Sequence, residues 1–218
     1  MKLLIVEDDV KILDFLKRGF VEDGHTIDSA VDGDEAIYLV ELNNYDVIIL
    51  DWMLPNKSGI EVLEYLKKQN ITTPIIMLTA KGELNNKIKA IRGGADDYLT
   101  KPFDYEELLV RVEALYRRTI SNGNSIISIQ NVTIDISNKI IKKDDKIILL
   151  SAKEYELLIF LIKNKNAIVS NSMIEEQLWN NESFISSNVI SVTIYHLRKK
   201  IGKELIKSFR GVGYQISF

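Results

Sequence analysis

Four short apolar runs in the first half of the chain each break off at a polar group of a different kind. Leu3–Val6 ends in Glu7-Asp8-Asp9, Val47–Leu50 in Asp51, Ile75–Leu78 in Thr79-Ala80, and Tyr98–Leu99 in Lys101-Pro102. Most are β-branched and too short for helices, so they read as strands buried on both faces. Thr26–Ala30 is a fifth, weaker strand candidate. Between them, apolar residues recur at helical spacing: Ile12, Phe15, Leu16 and Phe20; Ile60, Leu63 and Leu66; Leu84, Ile88 and Ile91; Leu108, Val112 and Leu115. Alternation of this kind predicts an α/β domain with a doubly wound, five-stranded parallel sheet.

The pattern stops at Ser121-Asn122-Gly123-Asn124-Ser125, a small polar stretch that reads as a linker. The expected division is 1–118, a linker at 119–125, and 126–218. The second domain opens with strand-like runs Ile126–Ile129, Val132–Ile136, Lys139–Ile141 and Ile147–Leu149, with Asp144-Asp145 in a turn. Ser151 with Glu154 forms a capping box for a helix through about Ile162. Further helices are expected over Met173–Trp179 and Ser187–Ile201. The close, Leu205–Arg210, Gly211-Val212-Gly213 and Tyr214–Phe218, reads as a hairpin.

Charge separates the halves. Residues 1–118 carry 15 Lys and Arg against 22 Asp and Glu, whereas residues 119–218 carry 13 against 9. An acidic half followed by a basic half suggests different partners, a polyanion for the second. The absence of cysteine excludes disulfides, thiolate metal sites and Cys nucleophiles. Only His25 and His196 are present, so a histidine metal site is not expected. No apolar run could span a bilayer, and the start of the chain does not resemble a signal peptide. A cytoplasmic protein without a membrane partner is the expectation.

In a doubly wound sheet, ligands bind beyond the carboxyl ends of the strands. There the sequence gathers carboxylates, a hydroxyl and an amine. Clustered carboxylates repel unless a cation offsets them. An all-oxygen donor set favours Mg²⁺, or Mn²⁺, over zinc. One carboxylate then remains as a nucleophile for aspartyl-phosphate formation. The Thr79 hydroxyl and the Lys101 ammonium would hold phosphoryl oxygens. Asp9 reads as a helix cap.

These residues resemble a response-regulator receiver domain, a flavodoxin-like fold. The resemblance rests on Leu4-Ile5-Val6-Glu7-Asp8-Asp9, Ile49-Leu50-Asp51-Trp52-Met53-Leu54-Pro55, Gly59, Met77-Leu78-Thr79-Ala80 and Gly94-Ala95-Asp96-Asp97-Tyr98-Leu99-Thr100-Lys101-Pro102-Phe103. It implies that Asp51 receives a phosphoryl group from a sensor histidine kinase. Asp8, Asp51 and the Met53 carbonyl would ligate the metal, with Glu7 acting through water. Thr79, Ala80 and Lys101 would bind the phosphoryl group, and Tyr98 would move with Thr79 in a two-state switch. Lys101–Pro102 would be cis. The set Lys87, Asp96, Asp97, Glu107, Arg111 and Arg118 is similar to the dimerisation face of OmpR/PhoB-type receivers. That pattern pairs Lys87 with Glu107, Asp97 with Arg111, and Asp96 with Arg118 across a two-fold axis.

The basic half, with three helices and a terminal hairpin, suggests an α+β winged helix-turn-helix. In the third helix, Ile190, Ile194, Leu197 and Ile201 form the core stripe, and Asn188, Ser191, Tyr195 and Arg198 share a roughly common face. The domain resembles the OmpR/PhoB-type effector through Leu150-Ser151-Ala152-Lys153-Glu154-Tyr155-Glu156-Leu157-Leu158, Leu178-Trp179, Leu197-Arg198-Lys199-Lys200-Ile201 and Arg210-Gly211-Val212-Gly213-Tyr214. The resemblance implies DNA contacts from Asn188, Ser191, Thr193, Tyr195, His196, Arg198, Lys199, Arg210, Gly211 and Tyr214. Asn188 stands where arginine is common, and Ser191 and Thr193 where aspartate and histidine are common. The loop Asn180–Ser187 fits one that touches RNA polymerase.

The expected function is therefore a two-component response regulator. Phosphorylation at Asp51 would promote a homodimer that binds promoter DNA; the protein would not be an enzyme acting on a free substrate. A regulator of the same type working without phosphorylation is the first alternative. A Mg²⁺-dependent phosphohydrolase would need a second Asp where Met53 stands. A flavodoxin would need a phosphate loop where Glu7-Asp8-Asp9 would repel phosphate.

Overall fold

The computed structural model describes residues 1–80, 92–179 and 188–218. They divide into two compact units, Met1–Tyr116 and Arg117–Phe218. The helix expected around Leu84, Ile88 and Ile91, the residue Lys87 and the loop Asn180–Ser187 lie outside the described residues.

The first unit contains β1 (Lys2–Val6), α1 (Val10–Glu22), β2 (Thr26–Ala30), α2 (Gly33–Leu42), β3 (Val47–Asp51), α3 (Gly59–Lys68), β4 (Ile75–Ala80) and β5 (Asp97–Lys101). The helix α4 (Tyr105–Ser121) follows. The sheet is parallel throughout, with strand order β2-β1-β3-β4-β5. Side chains on successive strand residues leave on opposite faces, and the core divides accordingly. Leu4, Val6, Ile48, Leu50, Ile75 and Met77 pack with Val62, Leu63 and Leu66 of α3. Leu3, Ile5, Val47, Ile49, Ile76 and Leu78 pack with Leu16 and Phe20 of α1 and Leu108 and Val112 of α4. The continuous apolar runs are thus explained by helices on both faces.

The departures from expectation are local. The α1 stripe buries Leu13, Leu16 and Phe20, whereas Phe15 is 48% exposed. Phe15 instead meets Tyr105 edge-on, with ring centroids 6.0 Å apart. The helix α2 was not foreseen, because its buried side comprises only Gly33, Ala36 and Val40 while Tyr38 and Leu42 face solvent. The strand expected at Tyr98–Leu99 runs from Asp97 to Lys101.

The second unit opens with an antiparallel sheet of β6 (Ile126–Ile129), β7 (Val132–Asp135), β8 (Ile140–Lys143) and β9 (Lys146–Ile148). Register aligns Ile127, Ile134, Ile141 and Ile148 in one inward row. Next come α5 (Ala152–Lys163), β10 (Val169–Ser170), α6 (Asn171–Trp179), α7 (Val189–Ile201), β11 (Ile206–Phe209) and β12 (Gly213–Ile216). The capping box at Ser151 and Glu154 is present. The core stripe of α7 is buried at Ile190, Ile194, Leu197 and Ile201. That helix begins at Val189 rather than Ser187, with Asn188 at its N-cap. The two-residue strand β10, too short to leave a sequence signal, pairs with β12 beside the hairpin. Where they pair, a Cβ on Gly213 would lie 2.0 Å from the Val169 carbonyl oxygen, so that close approach requires glycine.

Candidate phosphoacceptor pocket and nucleic-acid face

The strand order reverses direction between β1 and β3, the switch point at which such sheets bind ligands. Glu7 follows β1 and Asp51 ends β3, so the acidic residues meet there. One oxygen each from Glu7, Asp8 and Asp51 lies within 4.8 Å of the others. Glu7 and Asp51 are buried, at 0% and 5% exposure, whereas Asp8 faces solvent. Asp9 caps α1, accepting from the backbone N–H of Lys11 and of Ile12.

Lys101 supplies the opposing charge. Its Nζ donates to Asp51 Oδ2 at 2.6 Å and to both Glu7 oxygens at 2.8 and 2.7 Å. The Lys101–Pro102 peptide is cis, as expected. Burial pushes the Glu7 carboxyl up to about 7; the Lys101 hydrogen bond opposes this and the Asp51 charge adds to it. For Lys101, burial alone would favour loss of the proton. The hydrogen bonds to Asp51 and Glu7 outweigh it, and its pKa is raised. Both Glu7 oxygens face the ammonium, an orientation that residue spacing does not predict. An all-carboxylate donor set with one exposed member suits a hard divalent cation.

Two further features frame the pocket. Thr79 is 1% exposed, and its Oγ1 is the buried side-chain polar atom without a hydrogen-bond partner among the described residues. Such a hydroxyl costs free energy until something engages it. Tyr98 is half-buried against the α3-side core, and the register pairs Met77 with Tyr98 and Thr79 with Thr100. Ala80, opposite Lys101, is exposed at the end of β4. On the other side, the Asp51 carbonyl oxygen would lie 2.0 Å from a Cβ at Gly59. Gly59 N–H donates to the Trp52 carbonyl, drawing the start of α3 onto the loop that carries Met53. Met53 N–H donates to Asp51 Oδ1 at 3.3 Å.

Of the charged residues expected at a dimer face, Asp96, Asp97, Glu107 and Arg111 are engaged within the chain. Arg111 pairs with Asp97 at 3.0 Å and with Glu107 at 2.8 Å. The Asp96 carboxylate accepts from the Ile75 N–H at 2.9 Å, with Lys67 Nζ 3.6 Å away. Arg118 is exposed.

In the second unit, α7 and the β11–β12 hairpin enclose a groove of about 820 Å³, lined in part by Ser191, Tyr195, Lys199, Lys203 and Tyr214. Tyr195 is 61% exposed, and His196, Lys199, Arg210 and Gly211 are also exposed. Ser191 and Thr193 return their hydroxyls to the carbonyls of Asn188 and Val189. Arg198, expected among the DNA contacts, is engaged within the domain. Its Nε and Nη2 donate to the Ile206 carbonyl at 3.0 and 2.6 Å, and Nη2 also reaches Ser208 Oγ at 2.8 Å. Its guanidinium carbon lies 5.8 Å from the centre of the Tyr214 ring. These contacts tie the end of α7 to the hairpin.

Sequence reasoning missed a second such tie. Lys200 Nζ donates to Glu154 Oε2 at 2.6 Å, joining the end of α7 to the start of α5. Burial pushes the Glu154 carboxyl up, but Lys200 and the Ser151 N–H overcome that and hold it below its usual value. The partners are too far apart in sequence for spacing to reveal them. Trp179 is buried beneath Lys153, as a packing residue should be.

No helix among the described residues is long and apolar enough to cross a membrane. Residues 3–113 match the response regulator receiver domain, and residues 144–216 match the C-terminal domain of transcriptional regulatory proteins. The chain is 34% identical to the response regulator protein PmrA of Pseudomonas aeruginosa, over 99% of this chain and 98% of that protein. It is 36% identical to the transcriptional regulatory protein CiaR of Streptococcus pneumoniae, over 98% of this chain and 97% of that one. Among solved structures, the receiver domain of Francisella response regulator 1452 is 51% identical, with a TM-score of 0.53. It covers 54% of this chain and 98% of that one.

Proposed function

Because this chain belongs to the OmpR/PhoB family of two-component response regulators, a receiver joined to a winged-helix effector, we propose that Asp51 is its phosphoacceptor and that phosphorylation governs binding to promoter DNA. The observation that carries this reading is the buried Asp51 carboxylate held 2.6 Å from Lys101, with Thr79 at the end of the neighbouring strand, its buried hydroxyl lacking a hydrogen-bond partner among the described residues. That arrangement brings a nucleophile, a cation and a hydroxyl to the carboxyl edge of adjacent strands. The domains are 1–118 and 126–218, joined at 119–125.

In this reading a sensor histidine kinase donates the phosphoryl group. Asp8, Asp51 and the Met53 carbonyl would hold Mg²⁺ or Mn²⁺, with Glu7 acting through water. Held there, such an ion would supply positive charge to offset that on a transferring phosphoryl group. The chain's own residues do the rest. Asp51 attacks the phosphorus in line as its bond to the kinase's histidine nitrogen breaks, that histidine being the leaving group, and Lys101 leaves Glu7 to follow the new phosphoryl oxygens. Thr79 donates its hydroxyl to one of them with the Ala80 backbone alongside, and Tyr98 takes up the space released. The differential contacts of Thr79 and Lys101 in the two states provide the free energy that shifts the equilibrium.

Activated receivers pair through Lys87, Asp96, Asp97, Glu107, Arg111 and Arg118, so the Arg111 contacts within one chain would be shared with a second copy. The dimer places two effectors on DNA, and residues 180–187, whose composition fits the family segment that touches RNA polymerase, would meet that partner. The net positive charge of residues 119–218 supports a polyanionic partner.

The decisive test is the intact mass of wild type and Asp51→Ala after incubation with acetyl phosphate and Mg²⁺. The expected result is one phosphoryl adduct on the wild type alone. No adduct on folded wild type, with rapid self-hydrolysis checked, would favour a regulator that works without phosphorylation.

A further inference from the structure

The outward face of α7 contains an unusual set of groups for a helix that reads DNA. Successive residues of a helix are turned by about 100°. On that geometry Asn188, Ser191, Val192, Tyr195, His196 and Lys199 occupy one arc of roughly 140°, opposite the buried stripe. Arg198 and Lys200 fall on the two flanks. Both flanking cations are committed, Arg198 to the hairpin carbonyl of Ile206 and Lys200 to Glu154. Within the outward arc, the first three turns hold no arginine or lysine; Lys199 enters only in the last turn.

Guanine in the major groove is read chiefly by arginine or lysine reaching O6 and N7. Thymine is read by apolar contact with its C5-methyl group, and adenine by an amide. The arc carries the second kind of chemistry. Val192 is 49% exposed and Tyr195 61% exposed, side by side in the middle of the helix. Tyr195 is held edge-on by His196, with ring centroids 5.4 Å apart. At the leading end, Asn188 makes no side-chain capping bond, which leaves its amide for a base edge. Lys199 and Lys203 line the same groove as Tyr195, and Arg210 is exposed at the hairpin turn, charges suited to phosphates.

We infer that this recognition helix reads A·T pairs, with Val192 and Tyr195 seated against thymine methyl groups, and that Arg198 is a positioning residue for the hairpin. The inference rests on the DNA-binding reading given above and names what that face selects. Val192 was not among the contacts expected from the family pattern.

The test is selection from a random duplex pool by the full-length protein treated with acetyl phosphate and Mg²⁺, followed by binding to the enriched site with deoxyuridine in place of each thymidine. Deoxyuridine keeps the pairing and removes the methyl group. Enriched sites should carry thymine where α7 docks, and each methyl removed there should weaken binding about fourfold, the value of one buried methylene-sized group. Tyr195→Phe should retain the discrimination between thymine and uracil. Val192→Ala and Tyr195→Ala should abolish it at the position each contacts. Equal binding of the two bases, or enriched sites centred on guanine, would overturn the inference while leaving DNA binding intact. No enrichment over the random pool would remove the DNA-binding reading, and this inference with it.

Discussion

Lys101 Nζ lies 2.6 Å from Asp51 Oδ2 and 2.7 Å from Glu7 Oε2, so a single ammonium holds two buried carboxylates of the resting receiver. Removing one member of a buried ion pair typically costs about 3–5 kcal/mol, because the remaining charge is left uncompensated. Lys101→Met should destabilise the receiver by an amount of that order at neutral pH. Mg²⁺ should then raise the melting temperature of the variant more than that of the wild type, since it supplies the missing charge. Thermal melts of both proteins with and without Mg²⁺ check this, and equal Mg²⁺ responses would refute it.

Thr79 offers the converse experiment. Its buried hydroxyl lacks a partner among the described residues. Leaving such a group unsatisfied costs about 1–3 kcal/mol. Thr79→Val, similar in shape, should therefore stabilise the unphosphorylated receiver by roughly 1 kcal/mol. The same variant should accept a phosphoryl group yet lose most of its gain in DNA affinity. Urea unfolding and a binding titration before and after acetyl phosphate read the two halves.

The Glu154–Lys200 contact makes effector stability depend on pH with a definite sign. The Glu154 carboxyl is held below its unfolded value, chiefly by Lys200 against the opposing effect of burial. A depressed carboxyl contributes stability that is fully present above the unfolded pKa and is lost as pH falls through the folded one. The effector transition should weaken as pH drops below about 4.5, the usual range of a glutamate. Glu154→Gln, which can keep the capping box, should flatten that acid limb and cost about 1 kcal/mol at neutral pH through the weakened hydrogen bond from Lys200. Unfolding curves across the acid range distinguish the two proteins.

Salt dependence separates the roles of the cations near the groove. A lysine or arginine that neutralises a phosphate contributes about 0.9 to the slope of log affinity against log salt. Lys199→Ala and Arg210→Ala should each reduce the slope by about that amount. Arg198→Ala should leave the slope nearly unchanged and instead lower effector stability by about 1.5–3 kcal/mol, the worth of hydrogen bonds from a charged group. A slope change at Arg198 equal to that at Arg210 would return it to the DNA contacts.

Much of the receiver was legible because its strands announce themselves twice, as apolar runs and as the polar residues that end them. Glu7, Asp51, Thr79 and Lys101 could be grouped from sequence because parallel strands bring their carboxyl ends to one edge. Their pairing could not be fully read. That Glu7 turns both oxygens to Lys101 depends on burial and distance, not on spacing. The helix α2 escaped notice because its buried stripe is little more than Ala36 and Val40. In the effector, the core stripe of α7 followed from helical periodicity. The diversion of Arg198 did not, since its acceptor is the backbone carbonyl of Ile206 in another element. A side chain that binds backbone leaves no partner residue type for a sequence pattern to display.

The register of the parallel sheet has a consequence for descent. Ladder pairing sets Thr79 beside Thr100 and Ala80 beside Lys101. Loss or gain of one residue within β4 or β5 would turn every later side chain of that strand to the opposite face. Insertions in the connecting loops carry no such penalty. Relatives that keep this chemistry can therefore drift in the number of letters between Asp51 and Lys101, while within each strand the count to its terminal group is inherited unaltered.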